Sequence, residues 1–286
     1  MSTSTTQTWN EAIAAAARVV GERDARLIVG HVADWNAAEL IAHGDEVVNA
    51  KCQASIDQRV ERRRAGEPLQ YVLGAWGFRQ LDLYVDRRVL IPRPETEWVV
   101  EVALAALRAL RYTNEAPTVV DLGTGSGAIA LSIAKEVPDA HVWATDASAD
   151  ALEVARLNLI GLGQAAIGRV DLKHGDWFDA LPDALMGMIT LVVSNPPYVR
   201  TTDALPAEVA DWEPASALVA GHDGLDDIRR IVAATPDWLA RPGALVVEHA
   251  PDQGDAIQQL MRAGGAEDVS THNDLVGRPR CTVGKW

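Results

Sequence analysis

Apolar residues recur at helical spacing through the first part of the chain. Up to about residue 66, four segments each carry one apolar face: WNEAIAAAARVV, ERDARLIVGHVA, AAELIAHG and VVNAKCQASIDQRVERRRAGE. Apolar positions three and four residues apart are typical of amphipathic helices, and Asn36 is a suitable N-cap for the third segment. The front of the chain therefore predicts a small domain of helices. We expect the basic run Arg62-Arg63-Arg64 to be a solvated helix end, with partner binding as the alternative.

The helical spacing ends in GEPLQYVLG, where Gly66, Pro68 and Gly74 interrupt it. The next stretch, FRQLDLYVDRRVLI, alternates apolar and polar positions and predicts a β-hairpin that begins at Phe78. PETEWVVEVALAALRAL then returns to helical spacing. Its Pro94 lies in the first turn, where a missing N–H costs no intrahelical hydrogen bond.

From residue 118 onward, short apolar runs alternate with helical or loop segments: TVVDLG, HVWATD, VDLKHGD, ITLVVSN and GALVVEHA. Strands that alternate with helices indicate a parallel sheet covered by helices on both faces. The last two runs, EDVSTHND and PRCTVGKW, have no helix between them. We therefore expect the final strand to join the sheet in the antiparallel direction.

A glycine-rich turn follows the first of these strands, in VVDLGTGSGAIALSIA. Gly123, Gly125 and Gly127 carry no Cβ, so backbone N–H groups and the start of the helix can approach a bound ligand closely. The G-x-G-x-G spacing differs from the G-x-G-x-x-G of dinucleotide sites. By itself the loop is a weak signal, and a tight strand–helix turn is the simpler alternative.

Acidic residues end the next two strands. A carboxylate at Asp146 can accept hydrogen bonds from both hydroxyls of a ribose, or it can cap the helix that follows. Asp176, or the backbone beside it, would meet an adenine amino group. Trp177 would stack on the base, with a core position as the alternative. Adenine, ribose and a glycine loop fit both NAD and S-adenosylmethionine.

The fourth strand ends in SNPPY. Pro196 and Pro197 fix φ and lack an N–H, so their carbonyls are presented in a set geometry. Together with the side-chain carbonyl of Asn195 they supply acceptors that face one way, and Tyr198 adds a flat face. This arrangement suits a planar –NH2 group such as an adenine amine, a cytosine amine or a carboxamide. The motif resembles that of amino-group methyltransferases that use S-adenosylmethionine.

The net charge and the residue composition restrict the kinds of partner and ligand that we expect. The net charge of −14 at pH 7 argues against a broad surface that neutralises nucleic-acid phosphates. Cys52 and Cys281 are far apart without a CxxC partner, and the histidines show no ligand spacing, so we expect reduced thiols and no metal. The start of the chain has no basic region before an apolar core, and AIAAAARVV is too short to span a bilayer. We expect a cytoplasmic protein without a membrane partner.

Longer stretches, above all IPRPETE (91–97) combined with SNPPY, resemble the HemK/PrmC family in order from about residue 66 to the end. Over residues 1–65 the resemblance is looser. It implies an α/β fold: a Rossmann-like, seven-stranded class I S-adenosylmethionine-dependent methyltransferase domain, preceded by a β-hairpin and a small N-terminal helical domain. The implied boundaries are 1–74 for the helical substrate-recognition domain and linker, and 75–286 for the methyltransferase domain with its hairpin.

The resemblance also implies the reaction. Family members transfer a methyl group from S-adenosylmethionine to the side-chain amide nitrogen, N5, of the glutamine in the Gly-Gly-Gln motif of class I peptide chain release factors. The alternatives are a glutamine of another protein, such as a ribosomal protein, or adenine in nucleic acid. A binding module that has kept the fold without catalysis is a third. We expect no stable nucleic-acid partner.

Site residues follow from the resemblance position by position. The methionine part of the cofactor would contact Gly123, Thr124, Gly125, Ser126 and Gly127. Asp146 would hold the ribose, and Trp177 would lie by the adenine. The substrate glutamine would be held by Asn195, Pro196, Pro197 and Tyr198, with Asn195 also beside the cofactor. The IPRPETE segment would help to close the cofactor pocket, with no chemical step of its own.

Overall fold

A computed structural model describes residues 7–110 and 116–286. In chain order, the helices are α1 (Trp9–Val20), α2 (Glu22–Ala33), α3 (Ala37–Ala42), α4 (Ala50–Arg64), α5 (Leu69–Leu73), α6 (Pro94–Leu110), α7 (Ala128–Glu136), α8 (Ala149–Leu162), α9 (Gln164–Ile167), α10 (Ala207–Ala210), α11 (Asp226–Trp238) and α12 (Gly254–Ala263). The strands are β1 (Ala75–Phe78), β2 (Leu81–Tyr84), β3 (Thr118–Leu122), β4 (His141–Asp146), β5 (Val170–His174), β6 (Ile189–Ser194), β7 (Leu239–Glu248), β8 (Asp268–Asn273) and β9 (Pro279–Lys285).

The chain divides into two compact units. The helical unit contains the described residues up to Ala75 together with Ala207–Trp212. The sheet unit contains the described residues of Trp76–Pro206 and Glu213–Trp286. A short segment late in the chain therefore belongs to the helical unit.

The helical unit contains the four helices that the apolar spacing predicts. Asn36 caps α3 as expected, because its side-chain oxygen accepts hydrogen bonds from the N–H groups of Ala38 and Glu39. The expected break after α4 is wrong in one respect, since Leu69–Leu73 forms a further short helix. Pro68 precedes its first turn, and Gly74 ends it with a φ of +71°.

The basic run at the end of α4 is not a simple solvated helix end. Arg63 donates hydrogen bonds to Asp24 and to Glu208, each at 2.7 Å. Arg62 makes a two-pronged contact with Glu67 at 2.6 and 2.8 Å. These bonds fix the end of α4 inside the helical unit, so the run is a structural feature whose charges are already partnered.

The sheet unit is built on one mixed sheet. Among the described residues, seven strands lie in the order β5-β4-β3-β6-β7-β9-β8. The first five are parallel, and β9 is antiparallel between β7 and β8, as the sequence predicts. Buried Val, Leu and Ile side chains of β3, β6 and β7 form its centre, and helices α6, α7, α8, α11 and α12 pack around the sheet.

The order of the strands determines where a ligand can bind. From β3 the chain runs outward through β4 to β5, and then returns to β6 on the other side of β3. The carboxyl ends of β3 and β6 therefore lie at a topological switch point, the usual binding position in open α/β sheets. Leu122 and Ser194 are paired there, so the glycine turn and SNPPY leave the sheet side by side.

The hairpin is shorter than predicted and begins earlier, at Ala75. Its second strand ends at Tyr84 because Asp86 accepts a hydrogen bond from the Arg88 N–H at 3.0 Å and starts a turn. Further on, the Ile91 N–H donates to Glu213 rather than to a neighbouring strand. Across the described residues, no helix combines the length and apolar character needed to cross a membrane.

Candidate functional site

The glycine turn has the predicted strand–turn–helix form. Gly123, Gly125 and Gly127 all have positive φ, at +73°, +55° and +85°. The N–H groups of Gly123 and Thr124 both donate to the Thr145 carbonyl at 2.9 Å, which ties the turn to β4. The turn thus places glycine backbone, with little side-chain bulk, at the carboxyl edge of the sheet.

Asp121 supports the turn from below and was not singled out from the sequence. Its Oδ2 accepts hydrogen bonds from the Thr124 hydroxyl at 2.6 Å and the Ala130 N–H at 3.1 Å. The side chain is fully buried, and burial raises the pKa of Asp121 to about 7 against the effect of these two bonds. Its Oδ1 finds no hydrogen-bond partner among the described residues. The only sequence signal was a carboxylate within an apolar strand.

Asp146 closes β4 and is also bound to the turn. Its Oδ2 accepts from the Gly125 N–H and its Oδ1 from the Ser148 N–H, both at 2.8 Å. The cap of α8 is Ser148, which accepts from the Ala151 N–H, so the interpretation of Asp146 as the helix cap is wrong. Burial raises the pKa of Asp146, while the bonds from Ser148 and Gly125 lower it.

Trp177 packs against the glycine turn. It has a φ of +48°, and a Cβ atom on Gly123 would lie 3.1 Å from its ring carbon Cζ3. Asp176 is ion-paired with Arg230. Asp227, from α11, lines the same wall and was missed because it is distant in sequence; burial raises the pKa of its carboxyl.

A cavity of about 380 Å³ joins these elements. Its lining includes the predicted residues Gly123, Thr124, Gly125, Ser126, Asp146, Trp177, Asn195 and Pro197, together with Pro92 and Thr96 of the IPRPETE segment and the unpredicted Arg88, Asp227 and Ser216. Such a volume suits a small organic ligand or cofactor. Gly127, the N-cap of α7, is not part of the lining, and neither are Pro196 and Tyr198. Within residues 7–110 and 116–286, no group of three acidic, histidine or cysteine side chains has the arrangement of a metal site.

Asn195 is held in one orientation at the end of β6. The strand end is fixed because the Ser194 hydroxyl donates to the Leu122 carbonyl at 2.7 Å. Asn195 Nδ2 donates to Thr96 Oγ1 at 3.1 Å, and the Thr96 hydroxyl donates to Glu248 Oε2 at 2.8 Å. Asn195 Oδ1 accepts no hydrogen bond from the residues that the structure describes, and Asn195 lines the cavity. A carbonyl acceptor therefore remains for a ligand.

The rest of SNPPY is anchored to the β7–α12 region. The Tyr198 hydroxyl donates to Glu248 Oε1 at 3.2 Å, and the Tyr198 carbonyl accepts from Gln253 Nε2 at 3.0 Å. Pro196 and Pro197 are buried. Burial, followed by the charge of Glu248, raises the pKa of Tyr198. The hydroxyl of Tyr198 is thus hydrogen-bonded inside the protein.

Thr96 and Glu248 form the link that sequence reasoning missed. Thr96 lies within IPRPETE, a segment that was expected only to close the pocket. Glu248 follows the apolar run ALVV at the end of a central strand, and a charged residue in that position was the available signal. Burial raises the pKa of Glu248 to about 7, against the hydrogen bonds from Thr96 and Tyr198.

Comparisons with known proteins show which family this chain resembles. The family described as PrmC N-terminal domain matches residues 7–74, and the family described as methyltransferase small domain matches residues 102–211. The release factor glutamine methyltransferase of Xylella fastidiosa (strain 9a5c) is 43% identical over 274 residues, or 96% of each chain. That of Burkholderia pseudomallei (strain K96243) is 42% identical over 266 residues, or 92% of this chain and 91% of its own.

Among solved structures, the N-terminal domain of human METTL16 in complex with SAH has a TM-score of 0.55 at 12% identity. The match covers 90% of this chain and 93% of that chain, and it shows the fold. The relatives extend over nearly the whole sequence and confirm the resemblance to the HemK/PrmC family. The chain belongs to the family of release factor glutamine methyltransferases and is a methyltransferase.

Proposed function

We propose that this chain transfers a methyl group from S-adenosylmethionine to N5 of the glutamine in the Gly-Gly-Gln motif of class I release factors. The observation that carries the proposal is Asn195, whose Nδ2 is bound to Thr96 and whose carbonyl is left for a ligand beside the glycine turn. A primary amide offers the N–H donors that such an acceptor requires. The names of the relatives support a release factor as the substrate.

The lining of the cavity fits S-adenosylmethionine. The turn at Gly123 and Gly125 leaves room for the close approach of the amino-acid part, and the Asp146 carboxylate can still accept from ribose hydroxyls. Trp177 supplies an aromatic wall for the adenine. The carboxylates of Asp146 and Asp227 also favour a cationic ligand. When bound, this cofactor supplies an electrophilic methyl group on a sulfonium.

An amide nitrogen is a weak nucleophile because its lone pair is delocalised into the carbonyl. The protein must therefore orient the nitrogen and stabilise the positive charge that develops on it. In our proposal the Asn195 and Pro196 carbonyls would accept the two N–H groups and orient the substrate nitrogen for transfer. Positive charge on the nitrogen would make both N–H groups more acidic, so these hydrogen bonds would strengthen in the transition state, in which the N–CH3 bond forms as the S–CH3 bond breaks. The proton then leaves to water.

The helical domain is our proposed recognition element. We assign residues 1–74 to substrate recognition and the linker, and residues 75–286 to catalysis. The match of residues 7–74 to a domain named for this family supports the assignment. Because release factors act in translation, the same proposal implies a cytoplasmic enzyme whose partner is a protein rather than nucleic acid or a membrane.

Methyl transfer to a release factor tests the proposed function. With labelled S-adenosylmethionine, we expect the full chain to label a purified class I release factor with an intact Gly-Gly-Gln motif. A release factor in which that glutamine is replaced by alanine should stay unlabelled. Adenine-containing DNA and ribosomal proteins serve as further acceptors. Equal labelling of the alanine variant, or labelling of DNA alone, would contradict the proposal.

Recognition by the helical domain predicts a footprint there. When the release factor is added to the enzyme with S-adenosylhomocysteine, amide exchange should slow in peptides from α1 to α4 as well as near SNPPY. The release factor with alanine in place of its glutamine is the control, because contacts outside the loop should survive that change. Protection confined to residues 76–286 would assign recognition to the catalytic domain.

Asp146 should contribute to cofactor affinity. Replacement by alanine removes a charge-assisted acceptor, and the dissociation constant measured by calorimetry should rise by about ten- to 100-fold, or about 1.5–3 kcal/mol. Asp150→Ala removes the same charge from an exposed position on α8 and should leave the affinity within about threefold. Unchanged affinity in Asp146→Ala would limit Asp146 to holding Gly125 and Ser148.

Asn195 should act mainly on the chemical step. Asn195→Ala removes the acceptor that strengthens during transfer, so the single-turnover rate at saturation should fall by about 100-fold or more. Asn195→Asp should not restore the rate, because a carboxylate cannot donate to Thr96 and adds a charge near Glu248. Cofactor affinity is measured separately. A change in that affinity with a normal saturated rate would make Asn195 a cofactor contact.

A further inference from the structure

One carboxyl group of the sheet unit lies outside the cavity wall yet is bonded to residues at the substrate end. Glu248 ends β7 and is fully buried. Its two oxygens accept from different elements: Oε2 from Thr96 on α6 at 2.8 Å, and Oε1 from Tyr198 at 3.2 Å. Burying a charge without a direct ion pair is costly, so an arrangement of this kind calls for a functional reason.

The chemistry of these groups fixes the direction of the hydrogen bonds. An ionised carboxylate only accepts, so the single hydroxyl hydrogen of Thr96 is directed to Glu248. The Thr96 oxygen is then left as an acceptor, and only the NH2 side of the Asn195 amide can bond to it. The opposite side of the amide, Oδ1, is consequently left for the cavity.

We propose that ionised Glu248 is a positioning residue, which acts through Thr96 to turn the Asn195 carbonyl toward the substrate amide. The inference rests on the proposed function of Asn195. It gives the IPRPETE segment a specific role, because Thr96 is the relay between a buried charge and the substrate acceptor.

Protonation of Glu248 would remove this control. A carboxylic acid can donate to Thr96, whose hydroxyl can then donate to Asn195 Oδ1, and the amide is free to rotate by half a turn. The N–H groups would then face a substrate that itself offers N–H donors. Two sets of N–H donors cannot bond to each other, so the substrate nitrogen would not be held. Transfer therefore requires the ionised state of Glu248.

The surroundings of Glu248 allow both its protonated and its ionised state. Burial raises the pKa of Glu248 to about 7, and the Glu95 charge on α6 adds to the rise. The hydrogen bonds from Thr96 and Tyr198 and the charge of Arg280 on β9 oppose it. Cys281, which pairs with Glu248 across β7 and β9, is held as a thiol because burial raises its pKa to about 12.

Rate and stability should therefore change in opposite directions with pH. Because the pKa of Glu248 is raised from its ordinary 4.5 to about 7 in the folded state, its contribution to stability is largest below pH 4.5 and is lost as pH rises through 7. The transfer rate, by contrast, should fall as pH decreases through the pKa of Glu248. A group needed only for folding would not produce this opposition.

A matched pair of variants tests the relay. Thr96→Val keeps the shape but removes the hydroxyl, and its single-turnover rate at about pH 8 should fall about ten- to 100-fold. Thr96→Ser keeps a hydroxyl, and its rate should stay within about threefold of that of the unmodified enzyme. Thr235→Val is the control: it removes a buried hydroxyl bonded to the Ile231 carbonyl within α11, and its rate should also stay within about threefold. Glu248→Gln should lose the acidic limb of the pH–rate profile. Equal rates for the Val and Ser variants would overturn the proposal.

A second readout does not depend on the substrate. The side-chain ¹⁵N–H2 signals of Asn195, assigned by their loss in Asn195→Ala, should shift between about pH 6 and about pH 8.5 in the unmodified enzyme. They should not shift in Glu248→Gln. Signals that stay constant in the unmodified enzyme would refute the positioning role. If the signals titrate but no release factor is methylated, the proposed function fails while the coupling of Glu248 to Asn195 stands.

Discussion

The pairing of β3 with β6 is the constraint on which the site depends. Leu122 and Ser194 are register partners, and the Ser194 hydroxyl donates to the Leu122 carbonyl at 2.7 Å. Both strands are buried and parallel, so a slip of one residue would reverse every side chain. This pairing brings the glycine turn, the proposed cofactor site, next to Asn195, the proposed substrate acceptor.

Three carboxylates then orient the glycine turn and Asn195, which the two strands bring together. Asp121 holds the turn through Thr124, Asp146 holds it through the Gly125 N–H, and Glu248 holds Asn195 through Thr96. Asp121 and Glu248 are fully buried and Asp146 is partly buried, and burial raises the pKa of each carboxyl. Burial of these carboxylates lowers the stability of the fold, but their hydrogen bonds fix the orientation of the groups at the edge of the sheet.

Much of the fold was predictable because it rests on local pattern. Apolar spacing indicated the helices and the strands of the sheet, and the missing helix before the last strand indicated its antiparallel direction. The short helix before Gly74 and the early end of the hairpin were missed because turn chemistry at Pro68 and Asp86 decides them. The pairing of Arg63 with Asp24 joins residues on separate helices and has no local signature.

The site residues also fall into two groups, those with a local sequence signal and those without one. Glycine spacing and SNPPY are contiguous, so their chemistry could be inferred in place, and the resemblance to a family supplied their roles. Thr96, Glu248 and Asp227 come from α6, β7 and α11, and only folding places Thr96 and Asp227 in the cavity lining and Glu248 against Thr96. No spacing rule connects Thr96 to Glu248 across a sequence separation of 152 residues.

A crystal structure of the enzyme with S-adenosylhomocysteine and a class I release factor would show directly whether Asn195 holds the substrate amide. We expect the side-chain nitrogen of the Gly-Gly-Gln glutamine within hydrogen-bond distance of Asn195 Oδ1, with Asn195 Nδ2 still bonded to Thr96. A glutamine amide bound elsewhere, or an Asn195 side chain that has left Thr96, would contradict it.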